Sequence, residues 1–285
     1  MNPEQRVAAA AKLLVQSPPG EINDCLTDIR VIIDDDNRLQ RGIDQALREY
    51  NIAQFVTVQA PNADHQIIIS DAGLIGSDED NRFFDPRTKT SFLFDHLGLA
   101  ASEPREEEVD EDAETFRAAL DSAAQEYIND HYRDGVASVF VPSSGKFTLQ
   151  LVANRYNPAN FWSGRWRSKY EIDMDAKTVK GVIYVTVHYY EQGNVQLTTE
   201  YTPTLSLPPS APSTQAAKQL LLQIAEQENT YQSALSDTYQ DLGEKRFKTL
   251  RRALPMTRNK IDWDKVTGYK LGAELTASRG GNIGS

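Results

Sequence analysis

Five consecutive short runs of alternating apolar and polar residues occupy residues 136–201. The runs are VASVFV, KFTLQLVA, GRWRSKYEID, VKGVIYVTVHYY and NVQLTTEY, and turn residues separate them at 143–145, 157–158, 173–178 and 192–194. Alternation with period two indicates strands, and connections this short join antiparallel neighbours. The sequence therefore predicts a five-stranded antiparallel meander. One face of its longest strand is only partly apolar, and a helix could cover that face.

A long helical pattern follows the predicted sheet. The sequence PPSAP at 208–212 ends the strands, Ser213 can cap a helix, and the pattern runs from residue 214 to about 252. A helix of about 38 residues is about 57 Å long, whereas a five-stranded sheet is about 24 Å wide. Because the helix outspans the sheet, we expect a second sheet, from another subunit, beneath the rest of the helix.

The first half of the chain is predicted to be mixed. Helical patterns at 7–15, 21–31 and 39–50 favour an antiparallel bundle, with Cys25 as a buried structural thiol. The runs QFVTVQA and HQIIIS are typical of strands, while NRFFDPRTKTSFLFDHLG fits neither state clearly. An apolar stripe from Phe116 to Ile128 predicts a further helix.

Composition limits the class of protein. Apolar residues make up 40% of the chain, which is too many for general disorder, and the single cysteine excludes an intrachain disulfide and a cysteine-based zinc cluster. The N-terminus lacks the basic region of a signal peptide, and no apolar run reaches membrane-spanning length. We therefore expect a soluble, cytosolic protein, and the net charge of −11 argues against nucleic acid as a partner.

The charge is distributed unevenly along the chain. Residues 103–114 hold eight acids and one arginine, whereas residues 244–270 hold nine basic residues and three acids. We expect the acidic run to be a solvated loop that enters a helix. The basic segment suggests contact with an acidic partner surface.

Catalytic motifs are missing from the sequence. Histidines 65, 96, 131 and 188 have no metal-ligand spacing, so we expect them to be structural or exposed. Residues 34–42 and 142–147 depart from the calcium-loop and phosphate-loop patterns at essential positions. The sequence predicts a binding protein without enzymatic activity, cofactor or metal, and the alternative of an enzyme with an unusual carboxylate site stays open.

Four blocks carry a resemblance to a known family. NPANFWSGRWRSKYEI (157–172), VHYYEQGNVQL (187–197), KTLRRALPMTRNKIDWDKVTGYKLG (248–272) and RFFDPRTKTSFLFDHL (82–97) closely resemble the α subunit of the heterodimeric F-actin capping protein. The resemblance covers essentially the whole chain. It implies an α+β fold with an N-terminal helical stalk, an antiparallel sheet covered by one long helix, and a C-terminal amphipathic tentacle helix, with the sheet completed by a partner subunit.

This resemblance also implies a domain organisation. The stalk would occupy residues 1–50, a mixed strand and helix region with the acidic loop 51–135, the sheet 136–207, the long helix 208–254 and the actin-binding tentacle 255–285.

The function that the resemblance implies is capping of actin filaments. Such a subunit forms an obligate heterodimer with a capping protein β subunit, binds the filament barbed end without calcium and blocks subunit addition and loss there. We expect it in the cytoplasm at the actin cytoskeleton, in cortical actin patches, with phosphoinositides and capping-protein regulators as further expected partners. The alternative is a non-catalytic dimeric scaffold that does not bind actin, including a homodimeric one.

The resemblance assigns the actin contact to the C-terminal segment. The residues concerned are Lys248, Arg252, Arg258 and Lys260, which match the basic cluster of the family, together with Ile261, Trp263, Val266 and Tyr269. The last three step by three residues along one side of a helix, which suits docking in a groove. The alternative is a helix docked on the body of its own protein.

The block from Trp162 to Arg167 has two interpretations. Tryptophan and arginine are frequent in binding sites. We favour a structural role at a strand junction, in which Gly164 permits a bulge and the aromatic rings pack under the long helix.

Overall fold

The computed structural model describes residues 2–77, 80–190 and 195–241. Met1–Tyr231 forms one compact unit, and in the second unit, which begins at Gln232, only helical residues up to Asp241 are described. The elements are α1 (Pro3–Val15), α2 (Ile22–Ile33), α3 (Asp36–Ala53), β1 (Thr57–Gln59), β2 (Gln66–Ile68), β3 (Leu74–Ile75), β4 (Arg82–Asp85), β5 (Thr90–Asp95), β6 (Ala100–Glu106), α4 (Glu111–His131), β7 (Val136–Ser143), β8 (Lys146–Asn157), β9 (Trp162–Asp173), β10 (Thr178–Tyr189), β11 (Val195–Tyr201) and α5 (Thr214–Asp241).

The first three helices form a bundle with its own apolar core, as predicted. Leu14 of α1, Ile29 of α2, and Leu39 and Tyr50 of α3 are buried in this core. Cys25 lies in α2 but is only half-buried against the core, so the expectation of a buried thiol was too strong. The bundle forms because each helix has one apolar stripe that must be removed from water.

The middle region contains two small sheets. Strands β1 and β2 form a hairpin, and β3–β4–β5–β6 form a four-stranded antiparallel sheet. The unassigned stretch is the β4–β5 hairpin, whose turn at 86–89 ends with Lys89 at a φ of 55° and whose strands bury Phe83, Phe92 and Phe94. Periodicity missed this hairpin because consecutive aromatic residues hide the alternation.

The acidic run is solvated, but only part of it is a loop. Residues 103–106 belong to the edge strand β6, whose side chains are mostly exposed. Asp110 then caps α4, since its carboxylate accepts from the backbone N–H of Asp112. A carboxylate at this position is favourable because it faces unpaired N–H groups at the positive end of the helix dipole.

The predicted meander is confirmed as a five-stranded antiparallel sheet in the order β11–β10–β9–β8–β7. Its register is continuous through Gly164, which pairs with Arg155 on one side and Val187 on the other. The expected bulge at Gly164 is therefore absent. Regular pairing holds here because both neighbouring strands are as long as β9 and leave no extra residue to accommodate.

Helices α4 and α5 cover one face of this sheet. Leu120 and Ile128 of α4 and Leu220 and Ile224 of α5 pack with the sheet residue Leu149 in the largest apolar core. Ser213 caps α5 as predicted, because its Oγ accepts from the backbone N–H of Ala216. The predicted end of this helix near residue 252 lies outside the described residues. Within the described part of the chain, no helix is long and apolar enough to cross a membrane.

Candidate functional site: an unpaired sheet edge and an open sheet face

The residues predicted to contact actin are not among those that the structure describes. All eight lie beyond residue 241: Lys248, Arg252, Arg258, Lys260, Ile261, Trp263, Val266 and Tyr269. The described residues instead present a second candidate surface, at the β11 side of the large sheet.

Strand β11 is an edge strand with an apolar side. It pairs with β10 from Val195 to Tyr201, and no other described strand pairs with its far side. Val195 is 59% exposed and Leu197 is 38% exposed. An exposed edge with apolar side chains readily pairs with another chain, so this edge is suited to an interface.

The opposite edge of the sheet is shielded. Strand β2 lies against β7, where the backbone N–H of Ile68 donates to Ser138 Oγ at 3.3 Å. Helix α4 also packs on β7, and Arg87 donates a hydrogen bond to the carbonyl of Ala137 in that strand. In the described part of the chain the two edges therefore differ, and β11 is the edge available for pairing.

The face of the sheet that carries α5 has a closed half and an open half. In the closed half, Leu149, Leu151 and Ile183 are fully buried. In the open half, a groove of about 660 Å³ is lined by residues that include Ala153, Trp166, Val185 and Val187. The residues in register with Val185 and Val187 on β11 are Thr199 and Leu197, so the groove and the exposed edge form one surface.

A buried carboxylate anchors α5 to the closed half. Glu228 has no exposed surface, and its oxygens accept four hydrogen bonds from hydroxyl groups at 2.6–2.7 Å. The donors are Tyr127, Tyr132, Ser168 and Tyr170. Burial, together with the negative charge of Glu228, raises the pKa of the three tyrosines, so they remain neutral donors at any physiological pH.

Aromatic contacts fix the same helix over the outer strands. The ring of Tyr231 stacks on Tyr201 of β11 at 4.6 Å between centroids and lies 5.8 Å from Trp166 of β9. The Tyr231 hydroxyl is 2.6 Å from Thr199 Oγ1. The prediction that an aromatic residue of the Trp162–Arg167 block packs under the long helix is thus confirmed for Trp166.

The two arginines of that block serve the other face of the sheet. Arg165 Nη1 donates to the carbonyl of Gln54 at 3.1 Å and its Nε to Asn154 at 2.6 Å, while Arg167 donates to the carbonyl of Ala53. These carbonyls end α3, where helix carbonyls lack internal partners and the dipole favours cations. Burial, and then the charge of Arg165, lowers the pKa of Arg167 to about 10. The arginines therefore dock the helical bundle on the sheet, which favours the structural interpretation of the block.

A histidine and a glutamate form a second joint between bundle and sheet. His188 Nδ1 on β10 lies 2.7 Å from Glu21 Oε1, and Ser163 Oγ donates to the same oxygen at 2.9 Å. No local sequence pattern indicates Glu21 as the partner of His188. The burial of Glu228 could have been predicted from the sequence, because Glu228 follows Leu221 and Ile224 on the same apolar face of the helix.

No cluster of three His, Cys, Asp or Glu side chains suited to a metal ion occurs in the described ranges. Of the other histidines, His65 contacts Asp85 at 2.9 Å and His96 is buried among Phe83 and Phe94. Among the described residues, the geometry offers a surface suited to another macromolecule: an edge strand without a partner on its far side, an open apolar face and an anchored helix.

Comparison with known proteins gives one consistent set of relatives. The sequence profile of the F-actin capping protein alpha subunit family matches residues 10–274. The F-actin-capping protein subunit alpha of Caenorhabditis elegans is 35% identical over 280 residues, which cover 95% of this chain and 97% of that protein. The subunit of Chaetomium thermophilum is 36% identical over 276 residues, with 96% and 97% covered, and that of Dictyostelium discoideum is 34% identical over 281 residues, with 95% and 98% covered.

A solved structure shares the fold. The homodimeric actin capping protein alpha subunit from Plasmodium berghei superposes with a TM-score of 0.67 at 21% identity, over 86% of this chain and 94% of that chain. The profile and the relatives extend across nearly the whole chain and include the blocks at 82–97, 157–172 and 187–197. The chain belongs to the F-actin capping protein alpha subunit family.

Proposed function

We propose that this chain is the α subunit of a dimeric protein that caps actin filaments in the cytoplasm. The observation that carries the proposal is the family match, which runs from residue 10 to residue 274 and so includes both the folded body and the basic segment. The finer expectation is binding at the barbed end, without calcium, so that subunits are neither added nor lost there.

The partner in this proposal is a capping protein β subunit. It would add a strand to the free edge of β11 and cover the open sheet face, continuing the sheet from one subunit into the other. The exposed Val195 and Leu197 and the groove of about 660 Å³ beside them support this arrangement, since both would be buried by such a partner. The sheet of such a partner would also lie beneath the C-terminal part of the long helix predicted at 208–254.

The actin contact is proposed for the C-terminal segment. Lys248, Arg252, Arg258 and Lys260 would steer the protein to the acidic surface of actin, and Ile261, Trp263, Val266 and Tyr269 would fill an apolar cleft. The net charge of +6 over residues 244–270, in a chain of net charge −11, supports this role. In the same proposal residues 1–50 are the stalk, 51–135 the mixed region, 136–207 the sheet, 208–254 the long helix and 255–285 the tentacle.

The remaining parts of the proposal concern place and regulation. We place the protein at the actin cytoskeleton, including cortical actin patches, with phosphoinositides and capping-protein regulators as candidate ligands. A homodimeric scaffold without actin binding is the competing function. One observation favours the homodimeric part of this alternative, since the actin capping protein alpha subunit of similar fold from Plasmodium berghei is described as homodimeric.

The test is seeded elongation of pyrene-labelled actin with free barbed ends. The chain is co-expressed with a β subunit, and the purified complex is added at nanomolar concentration in EGTA. We expect elongation to stop at substoichiometric dose, and inhibition to be lost when residues 259–285 are removed while the complex stays intact. A soluble heterodimer that leaves elongation unchanged would contradict capping, and a stable homodimer that resists exchange with the β subunit would favour the scaffold.

A further inference from the structure

A second surface is formed by the acidic run, which has no part in the proposed function. Beside residues 107–114 lies a cavity of about 270 Å³, whose lining includes the apolar residues Leu74, Phe84 and Val141. This volume is below the roughly 300–1,000 Å³ typical of small-molecule pockets. The cavity is therefore suited to a single inserted side chain of a larger ligand.

The rim of this cavity is strongly negative. Glu107, Glu108, Asp110 and Glu114 all line it, and among the described residues Arg117 is the one basic residue in the lining. Glu107 accepts a hydrogen bond from Ser91 at 2.5 Å and Asp110 caps α4. Glu108 is exposed and, within the described ranges, has no ion pair or side-chain hydrogen bond. Its carboxylate is free to bind a cation from outside.

Arg117 supplies an independent indication of a ligand. The residue is 6% exposed, and its Nε and Nη2 donate to the two oxygens of Glu114 at 2.7 and 2.8 Å. Its Nη1 is buried and has no hydrogen-bond partner among the described residues. A buried donor without an acceptor is unfavourable, so an acceptor such as a peptide carbonyl would be bound favourably at this point.

We propose that this cavity binds a short linear segment of a partner protein, in which one bulky apolar side chain is flanked by lysine or arginine. The apolar side chain enters between Leu74, Phe84 and Val141, a backbone carbonyl accepts from Arg117 Nη1, and the basic residues meet Glu108 and its acidic neighbours. Nucleic acid and anionic lipid surfaces do not fit, because their phosphates would face the carboxylates of the rim.

The test uses three fluorescein-labelled peptides with Leu, Phe or Trp at the centre and two arginines on each side. Binding to the full chain, in complex with its partner subunit, is measured by fluorescence polarisation. We expect at least one of the three to bind, and its counterpart with Gly at the centre to bind at least about tenfold more weakly. Binding should also weaken with added salt, because the flanking contacts are between exposed charges.

Two variants with matched controls locate the site. Glu108→Lys reverses one rim charge and should weaken binding about tenfold or more. Its control, Glu226→Lys, makes the same change at an exposed position of α5 and should have less than a twofold effect. Val141→Trp fills the cavity and should abolish binding, whereas Leu222→Trp, at a site that is 70% exposed, should not.

The outcomes are decisive in both directions. Equal binding of the Gly-centred peptide, unchanged affinity of Glu108→Lys, or binding by none of the three peptides would overturn the proposal. If Val141→Trp does not fold, as judged by circular dichroism, the exposed Glu108→Lys variant and the Gly-centred peptide still decide the question.

Discussion

Tyr170 on β9 donates a hydrogen bond of 2.6 Å to Oε1 of Glu228 on α5, and both residues are fully buried. The described donors to this carboxylate are all hydroxyl groups, so its charge is stabilised by dipoles. Because the donors come from α4, from its C-cap Tyr132 and from β9, they hold α5 in one rotation over the sheet. That rotation places Tyr231 over Tyr201 beside the proposed interface.

The first prediction concerns this network. Tyr170→Phe removes one of four donors to a buried charge and should lower the free energy of unfolding by about 1.5–3 kcal/mol. The control is Tyr201→Phe, which removes a hydroxyl whose acceptor is the neutral Gln227 and should cost about 0.5–1.5 kcal/mol. Urea unfolding followed by circular dichroism measures both. Equal losses would show that the charge of Glu228 does not strengthen its hydrogen bonds.

The second prediction is a pH dependence that arises from His96. Burial, with a smaller contribution from the charge of Arg48, lowers the pKa of His96 from 6.5 to about 4. The unfolded chain therefore binds more protons than the folded chain between about pH 4 and 6.5. Stability from this residue is present above pH 6.5 and is lost as the pH falls towards 4, by up to about 3 kcal/mol.

His96→Phe should remove this part of the pH dependence. The new ring would join Phe83 and Phe94, which already contact His96 edge-on. The urea midpoint of unfolding is measured for both proteins at pH 7.5, 6.5, 5.5 and 4.5, and the slopes of midpoint against pH are compared. His131→Gln, at an exposed position, is the control for loss of a histidine. A slope in His96→Phe as steep as in the unaltered protein would contradict the assignment.

The third prediction concerns the junction of bundle and sheet. Arg165→Lys keeps the positive charge but loses the fork that reaches both Asn154 and the carbonyl of Gln54. We expect a loss of about 2 kcal/mol and faster hydrogen exchange in the last turn of α3. Arg155→Lys is the control, since Arg155 is exposed and stacks on Trp162. Unchanged exchange in α3 would show that Arg165 does not hold the end of this helix.

Regular alternation was sufficient to predict the large sheet. The strands β7–β11 each repeat with period two and are separated by short turns, so neither their number nor their order required tertiary information. Helices α1–α4 were predictable because each has an apolar stripe. The β4–β5 hairpin was not, because Phe83 and Phe84 are adjacent and only the fold decides that Phe83 is buried and Phe84 is not.

Contacts between residues far apart in the chain could not be predicted from a single sequence. Glu21 and His188 are 167 positions apart, and Tyr127 and Glu228 are 101 positions apart. The position of Glu228 on the apolar face of its helix indicates burial, but only the three-dimensional structure shows the hydroxyl groups that surround the carboxylate. The order of the meander makes β7 and β11 the two edge strands, but only the three-dimensional structure shows that β7 is shielded by β2 and α4.

The fourth prediction addresses the β11 edge. Leu197→Lys introduces a charge at a position that is 38% exposed in the single chain, so the stability of the chain itself should change by no more than about 0.5 kcal/mol. Assembly with the β subunit should weaken by at least about tenfold, because the charge would be buried at the joint of the two sheets. Sedimentation velocity measures assembly, and Leu13→Lys on α1, at a position that is 60% exposed, is the matched control. Normal assembly of Leu197→Lys would exclude β11 as the joining edge.

The fifth prediction separates capping of the filament from assembly with the β subunit. The double change Arg252→Ala and Lys260→Ala removes two proposed charge contacts with actin, at roughly 1–2 kcal/mol each, and should weaken capping by about 30- to 1,000-fold. Assembly with the β subunit should be unaffected, because the sheet edge is intact. Lys12→Ala with Lys177→Ala removes the same charge from two exposed positions of the folded body and should leave capping within threefold. Pyrene-actin elongation over a range of complex concentrations measures all three proteins. If the two double variants are equally weak, net charge alone drives association and the basic segment has no specific contact with the filament end.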